Sequence, residues 1–153
     1  NFSTGSYEWQ GRAVDRAGNT GSWTSDHDLT IADNRKPDLA IDSFSVESAP
    51  WYSWDDYIVD YRVRNRGDVS TGSSFTNGIY LSTNSTITTS DTRLDTDRMS
   101  SLGAGRTNSE STGISIPSWA SGRYYIGVIA DYNTGITESN ERNNTSSAIA
   151  VYV

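Results

Sequence analysis

The alternation of apolar and polar residues between positions 57 and 64 constrains the fold of this chain more than any other feature. Tyr57, Val59, Tyr61 and Val63 are apolar or aromatic, and polar residues fill most of the positions between them. Successive side chains of a β-strand point to opposite faces, so this pattern predicts a strand with one buried and one solvated face. The sequence Asn-Arg-Gly-Asp at residues 65–68 then predicts a turn.

Six further segments carry similar signals: residues 39–46, 75–82, 92–99, 114–116, 124–130 and 149–153. The apolar phase slips between Ile41 and Phe44, which predicts a bulge in that strand. Seven short strands without an intervening helix predict an all-β fold, an immunoglobulin-like seven-stranded antiparallel β-sandwich over residues 36–153. The predicted core consists of Leu39, Val59, Tyr61, Val63, Ile79, Leu81, Ile114, Ile126, Val128, Ile149 and Val151.

Residues 1–35 form a separate segment in the sequence. Residues 7–15 alternate like a strand, residues 16–19 read as a turn, and residues 23–31 could return as a second strand. An isolated hairpin is marginal in water. We therefore predict an N-terminal β-hairpin that is the end of a preceding β domain plus a linker, with Tyr7, Trp9, Val14 and Ile31 covered by strands from elsewhere.

Charge and composition exclude several classes of function. The net charge is −7, so neither nucleic acid nor an anionic membrane is expected as a partner. The chain has no cysteine, which removes thiol catalysis and thiolate metal sites. Its one histidine, His27, lies between two aspartates in a predicted loop, with no sign of a catalytic triad. We predict that the chain is not an enzyme, and that Asn1 lies within a longer protein.

A series of short motifs runs through residues 37–153: Pro37-Asp38-Leu39, Asn65-Arg66-Gly67, Tyr80-Leu81-Ser82, residues 90–94, residues 102–105, Ile116-Pro117, Gly122-Arg123-Tyr124, Ala130-Asp131 and residues 137–144. Together they resemble the CARDB family, the cell-adhesion-related domain found in bacteria. The first segment, with Tyr7-Glu8-Trp9 and residues 13–19, is similar to the last strands of bacterial immunoglobulin-like or fibronectin-type domains. The CARDB resemblance implies a modular extracellular protein, as in adhesins and accessory regions of secreted hydrolases, and implies no particular ligand.

Residues 137–144 are rich in carboxylate and amide side chains. By strand parity this loop lies at the same end of the sandwich as the turn at residues 65–67, so the two could interlock through hydrogen bonds. A hard cation is the alternative, because it binds such oxygens. The predicted structural motif comprises Asn65, Gly67, Asp131, Glu138, Glu141, Asn143 and Asn144.

Asp91, Asp95 and Asp97, together with Asn84, form a second oxygen-rich cluster that we assign to one long loop. Such a loop is organised either by local turns of its aspartates or by a bound Ca²⁺, and both alternatives stay open. A cation shared by Asp15, Asp33, Asn34 and Asp38 at the linker is a further alternative to turn and cap roles.

Aromatic residues are concentrated in two predicted loops. Trp51, Tyr52 and Trp54 fall between the first two strands of the sandwich, and Trp119 lies between the fifth and sixth. Loops alternate ends in an antiparallel sandwich, so all four are expected at one pole, near Asp91. They could form a ligand-binding surface, since exposed rings are costly to leave wet, or they could cap the core.

These observations support two functions. The first is a non-catalytic adhesion or spacer module of a secreted or surface-attached prokaryotic protein, located outside the cell. The second is a carbohydrate-binding accessory module of a secreted hydrolase. The expected partners are neighbouring β-sandwich domains of the same protein and surface glycans or other extracellular polymers. No cofactor is required, with Ca²⁺ as the open case.

Overall fold

The computed structural model describes residues 4–31, 33–48 and 50–153, and for residues 27–31 it describes the backbone alone. The chain divides into two compact units, residues 1–34 and residues 35–153. Strands are the regular secondary structure throughout the described part of the chain, and no helix there is long and apolar enough to cross a membrane.

The first unit is a two-stranded antiparallel hairpin. β1 (Gly5–Trp9) pairs with β2 (His27–Ile31), with Gly5 opposite Ile31. The predicted pairing is confirmed, but both strands are shorter than predicted, and His27 lies on β2 instead of in a loop. The unit leaves large apolar side chains in solvent, with more than half of each of Trp9, Val14 and Trp23 exposed. The predicted burial of Ile31 and the surroundings of the His27 ring lie outside the described residues.

The second unit is a sandwich of seven strands, as predicted. One sheet has the order β3-β4-β7 and the other β6-β5-β8-β9, and every neighbouring pair is antiparallel. The strands are β3 (Leu39–Val46), β4 (Asp56–Asn65), β5 (Phe75–Ser82), β6 (Thr92–Met99), β7 (Thr107–Ser115), β8 (Arg123–Ile129) and β9 (Ile149–Tyr152). The bulge predicted in β3 is confirmed as a register shift between Ile41 and Ser43.

The core lies between the two sheets and is built by strand alternation. β4 buries every second residue along its whole length, because its inward positions face the opposite sheet. Ten of the eleven predicted core residues are buried there. Ile149 is only partly buried, since it lies on β9 at the edge of its sheet.

Two features of the sandwich were not predicted. β7 begins at Thr107, seven residues before Ile114, because its first residues are polar and show no apolar alternation. A second apolar cluster lies apart from the main core, where Ile87 of the β5–β6 loop packs with Tyr80 and Ile129. A Cβ on Gly127 would fall 2.6 Å from Ile87, so the loop needs glycine there to approach β8.

Candidate functional site

Asn65 is the polar centre of one end of the sandwich and has no exposed surface. Its Oδ1 accepts from the backbone N–H of Asp38 at 3.1 Å and of Gly67 at 3.0 Å. Its Nδ2 donates to the carbonyls of Val69 at 2.8 Å and Leu102 at 3.0 Å. The amide therefore joins the turn after β4, the β6–β7 loop and the leading segment of the unit, which we define as residues 36–39.

The β8–β9 loop (residues 130–148) is also hydrogen-bonded to the leading segment. Glu138 accepts a hydrogen bond from the backbone N–H of Leu39, and Asn143 Nδ2 donates to Asp38 Oδ1 at 2.8 Å. The Ser139 N–H donates to the Pro37 carbonyl at 2.9 Å. The turn and the loop are thus linked through the leading segment, to which both are hydrogen-bonded.

Carboxylates also fix the internal shape of the β8–β9 loop. Asp131, at a positive φ of 44°, accepts from the N–H groups of Gly135 at 3.1 Å and Ile136 at 2.7 Å. Glu141 accepts from the Glu138 N–H at 2.8 Å. Each of these carboxylates replaces a backbone partner that an irregular loop lacks. The residues of the predicted motif thus form hydrogen bonds that hold the turn after β4, the leading segment and the β8–β9 loop in place.

Glu138 is a buried acid among other acids. Burial raises its pKa to about 7, and the charges of Glu141 and Asp131 add to the rise. The hydrogen bonds from Leu39 and Asn144 act in the opposite direction, because they favour the ionised form. Burial also raises the pKa of Asp131, against its two backbone hydrogen bonds. The end of the sandwich around Asn65 therefore holds two carboxyl groups, Glu138 and Asp131, whose ionised forms are disfavoured by burial.

A buried polar chain that the sequence analysis missed connects the two sheets. Asn77 on β5 accepts from the Asp131 N–H at 3.3 Å and donates to the Tyr61 hydroxyl at 3.2 Å. That hydroxyl donates to Asp97 at 2.9 Å, and Thr112 also donates to Asp97 at 3.4 Å. An asparagine inside the apolar strand 75–82 was the available signal, since a buried amide requires partners.

The three aspartates predicted to hold Ca²⁺ do not share one loop. Asp91 accepts from the N–H and hydroxyl of Thr88 within a tight turn, at 2.7 Å and 3.0 Å. Asp95 and Asp97 lie on β6, and Asp97 is hydrogen-bonded to Tyr61. Over the part of the chain that the structure describes, no group of three or more histidine, cysteine, aspartate or glutamate side chains could hold a metal ion.

The loops that carry the predicted aromatic residues meet at the opposite end of the sandwich. The Trp54 N–H donates to the Ile116 carbonyl at 3.0 Å, and the Ile116 N–H donates to the Asp55 carbonyl at 3.0 Å. Trp119 follows three residues later, with its ring edge-on to Tyr124 at 6.1 Å between centroids. We call the exposed rings of Tyr52, Trp54 and Trp119 the aromatic end.

Trp51 does not belong to this surface, contrary to the predicted set. It is 3% exposed and stacks on Tyr57, with centroids 4.0 Å apart and planes inclined by 17°. The Tyr57 hydroxyl in turn accepts from the Tyr52 N–H at 2.6 Å. By contrast, 59% of Tyr52, 78% of Trp54 and 59% of Trp119 is exposed. Trp51 thus closes the core beneath the loop while its neighbours remain in solvent.

The fold and these two ends define an immunoglobulin-like β-sandwich module that spans residues 35–153. The CARDB family model matches residues 36–148 of the chain. The chain belongs to the CARDB family. Among curated proteins no significant match exists.

Solved structures of similar fold include two further domains of this kind. The CARDB domain of a Pyrococcus furiosus protein, solved in complex with di-metal ions, is 19% identical with a TM-score of 0.57, over 77% of this chain and 89% of that one. A domain of a Methanosarcina acetivorans protein, named as a cell surface protein, is 21% identical with a TM-score of 0.55, over 77% and 92%.

One enzyme also shares the fold over a small part of its length. A Bifidobacterium adolescentis β-glucosidase is 16% identical with a TM-score of 0.51, over 76% of this chain but only 17% of the enzyme. At these identities the likeness shows the fold alone, and this match carries no argument for catalysis.

Proposed function

We propose that this chain is a non-catalytic extracellular module that spaces and attaches parts of a larger surface or secreted prokaryotic protein. The proposal rests on one observation: the buried polar side chains form hydrogen bonds between segments of the sandwich. Asn65, Asn77 and Glu138 each bond two or more separate segments of the chain. A catalytic site needs titratable groups that converge on open space, whereas these side chains are hydrogen-bonded to backbone groups and to other buried side chains.

Two measurements test this function. Antibodies raised against the chain should label intact cells of the source organism, or recover the protein from its culture medium. The purified chain should turn over none of a panel of glycoside, peptide and ester substrates. Labelling that requires permeabilised cells would contradict the extracellular part of the proposal. Turnover that survives removal of trace contaminants would contradict the non-catalytic part.

The aromatic end favours a second candidate, a carbohydrate-binding accessory module of a secreted hydrolase. The two candidates differ in what adjoins the module in the parent protein. Tandem β-sandwich domains with a surface anchor support attachment and spacing, and an adjoining hydrolase domain supports the accessory role. Recovery of the parent coding sequence separates them.

A further inference from the structure

We propose that the aromatic end, Tyr52, Trp54 and Trp119, is a binding surface for neutral carbohydrate. The inference deepens the attachment role proposed above and rests on it. Sugars present apolar C–H faces that pack on aromatic rings, and hydroxyls that donate to nearby oxygens.

The loops that carry the three rings are tied to the sandwich by hydrogen bonds of their backbone. The Trp54 and Ile116 backbones are joined by a 3.0 Å hydrogen bond, so the two loops are fixed to each other. The Tyr52 N–H is bonded to the buried Tyr57 hydroxyl, and Trp119 packs against Tyr124. A loop backbone that is already ordered loses little further conformational freedom when a ligand binds, which favours affinity.

The backbone of Trp54 gives an independent indication of a ligand. Its φ is +73°, in the left-handed region that favours glycine and asparagine and disfavours bulky residues. The ring is 78% exposed, so little packing inside the protein offsets this strain. Strained residues of this kind concentrate at binding sites, where the surroundings hold them in place for a ligand. The fold would be served better by glycine at this position.

Charge at the aromatic end selects the class of carbohydrate. Asp55 and Asp56 are exposed beside Trp54, and the whole chain carries a net charge of −7. Arg123 begins β8 after the Trp119 loop, and its guanidinium lies over the Tyr125 ring, 5.0 Å from the centroid. Carboxylates accept from sugar hydroxyls but repel uronate and sulfate groups. The surface therefore suits neutral polysaccharides and disfavours anionic ones.

Affinity electrophoresis of the full chain tests the proposal. Gels would contain a soluble β-glucan, a mannan or a xylan as neutral probes, and alginate or heparin as anionic probes. We expect retardation by at least one neutral polysaccharide and none by the anionic ones. Trp54→Ala and Trp119→Ala should each weaken the interaction about tenfold, the loss of one good contact. Trp23→Ala is the matched control, because this tryptophan is similarly exposed but lies in the hairpin unit.

Trp54→Gly separates binding from folding. Glycine relieves the strain at a positive φ, so this variant should unfold at a temperature equal to or above that of the wild type while losing the glycan. The proposal is overturned if no neutral polysaccharide retards the chain, if Trp23→Ala loses as much affinity as Trp54→Ala, or if anionic probes bind equally well. Dimerisation that Trp54→Ala abolishes, without glycan binding, would make the surface a self-interface. Each of these outcomes leaves surface labelling and absence of turnover, the tests of the proposed function, unaffected.

Discussion

Glu138 Oε1 accepts a 2.6 Å hydrogen bond from Asn144 Nδ2, while Asn144 Oδ1 is buried without a hydrogen-bond partner among the described residues. Burial disfavours the ionised form of the Glu138 carboxyl, while the hydrogen bond from Asn144 favours it. Two opposing effects therefore set the pKa of Glu138, and burial is the larger of them.

The stability of the sandwich should fall as pH rises from about 4.5 to about 7. In this window the native state, with the pKa of Glu138 near 7, binds a proton that the unfolded chain, with a value of 4.5, has already released. Proton uptake by the native state stabilises it at the lower pH, and that contribution is lost as pH rises through the native pKa. Urea unfolding at about pH 5 and about pH 8, followed by tryptophan fluorescence, measures the difference.

Glu138→Gln should remove most of this pH dependence. Glutamine keeps an acceptor for the Leu39 N–H and does not titrate, although its amide nitrogen replaces the oxygen that accepts from Asn144. The variant should unfold at similar urea concentrations at both pH values. Glu110→Gln is a control on β7, away from the loop. A pH dependence that persists in Glu138→Gln would assign it to another group, such as Asp131, whose pKa is also raised.

Gly67→Ala should destabilise the sandwich strongly. A Cβ there would lie 2.4 Å from the Lys36 carbonyl oxygen and 2.7 Å from the Asp38 nitrogen, and both are backbone atoms that cannot move aside cheaply. We expect a loss of about 2 kcal/mol or more. Gly113→Ala is the matched control, because nothing lies within 4 Å of its added Cβ. Equal unfolding free energies of the two variants would show that the leading segment is not held tightly.

Asn65→Ala should cost about 3 kcal/mol, because it removes the Asn65 partner of the Asp38 and Gly67 N–H groups and of the Val69 carbonyl, while the Leu102 carbonyl keeps its bond from Thr71. Chemical denaturation measures this loss. Asn108→Ala removes an exposed amide bonded only to Glu110 and should change stability by under about 0.5 kcal/mol. A mild effect of Asn65→Ala would mean that water replaces the amide.

Calcium should leave the melting temperature unchanged. Asp91, Asp95 and Asp97 lie in a turn and on a strand, and a cation at Asp97 would have to displace its bond to Tyr61. Thermal melts in millimolar Ca²⁺ and in chelator compare the melting temperature of the chain with and without calcium. A rise with calcium that Asp95→Asn abolishes would restore the predicted site, because an ion that binds only the folded chain stabilises it.

A strand with one buried and one solvated face can be located from the alternation of its residues. In β4, residues with apolar or aromatic side chains alternate with mostly polar ones, and buried residues alternate with exposed ones in the same way. β7 pairs with β4 along nine residues, yet most of its side chains are exposed, so its pairing comes from backbone hydrogen bonds that leave no trace in hydropathy. A strand with as few buried side chains as β7 is consequently hard to locate in full from the sequence.

Loop side chains were located least well, for a physical reason. Trp51 and Trp54 are three residues apart in a segment without periodicity, and the turn geometry decides that one stacks on Tyr57 while the other faces solvent. Asp97 was grouped with Asp91 and Asp95 as an oxygen-rich cluster in one loop. It is instead a partly buried residue of β6, and it is held by the Tyr61 hydroxyl of the other sheet, a partner 36 residues away in sequence.

The hydrogen bonds that hold the leading segment have a mechanical consequence. Pro37 and Val153 lie at opposite ends of the sandwich, since Leu39 pairs beside Asn65 and Val153 pairs with Gly122 beyond the other ends of the strands. Tension applied between them runs along β3 and β9, so the hydrogen bonds of each ladder are loaded together in shear and cannot open one at a time. The hydrogen bonds that join Asp38 to Asn65 and to Asn143 anchor the chain where that tension enters β3.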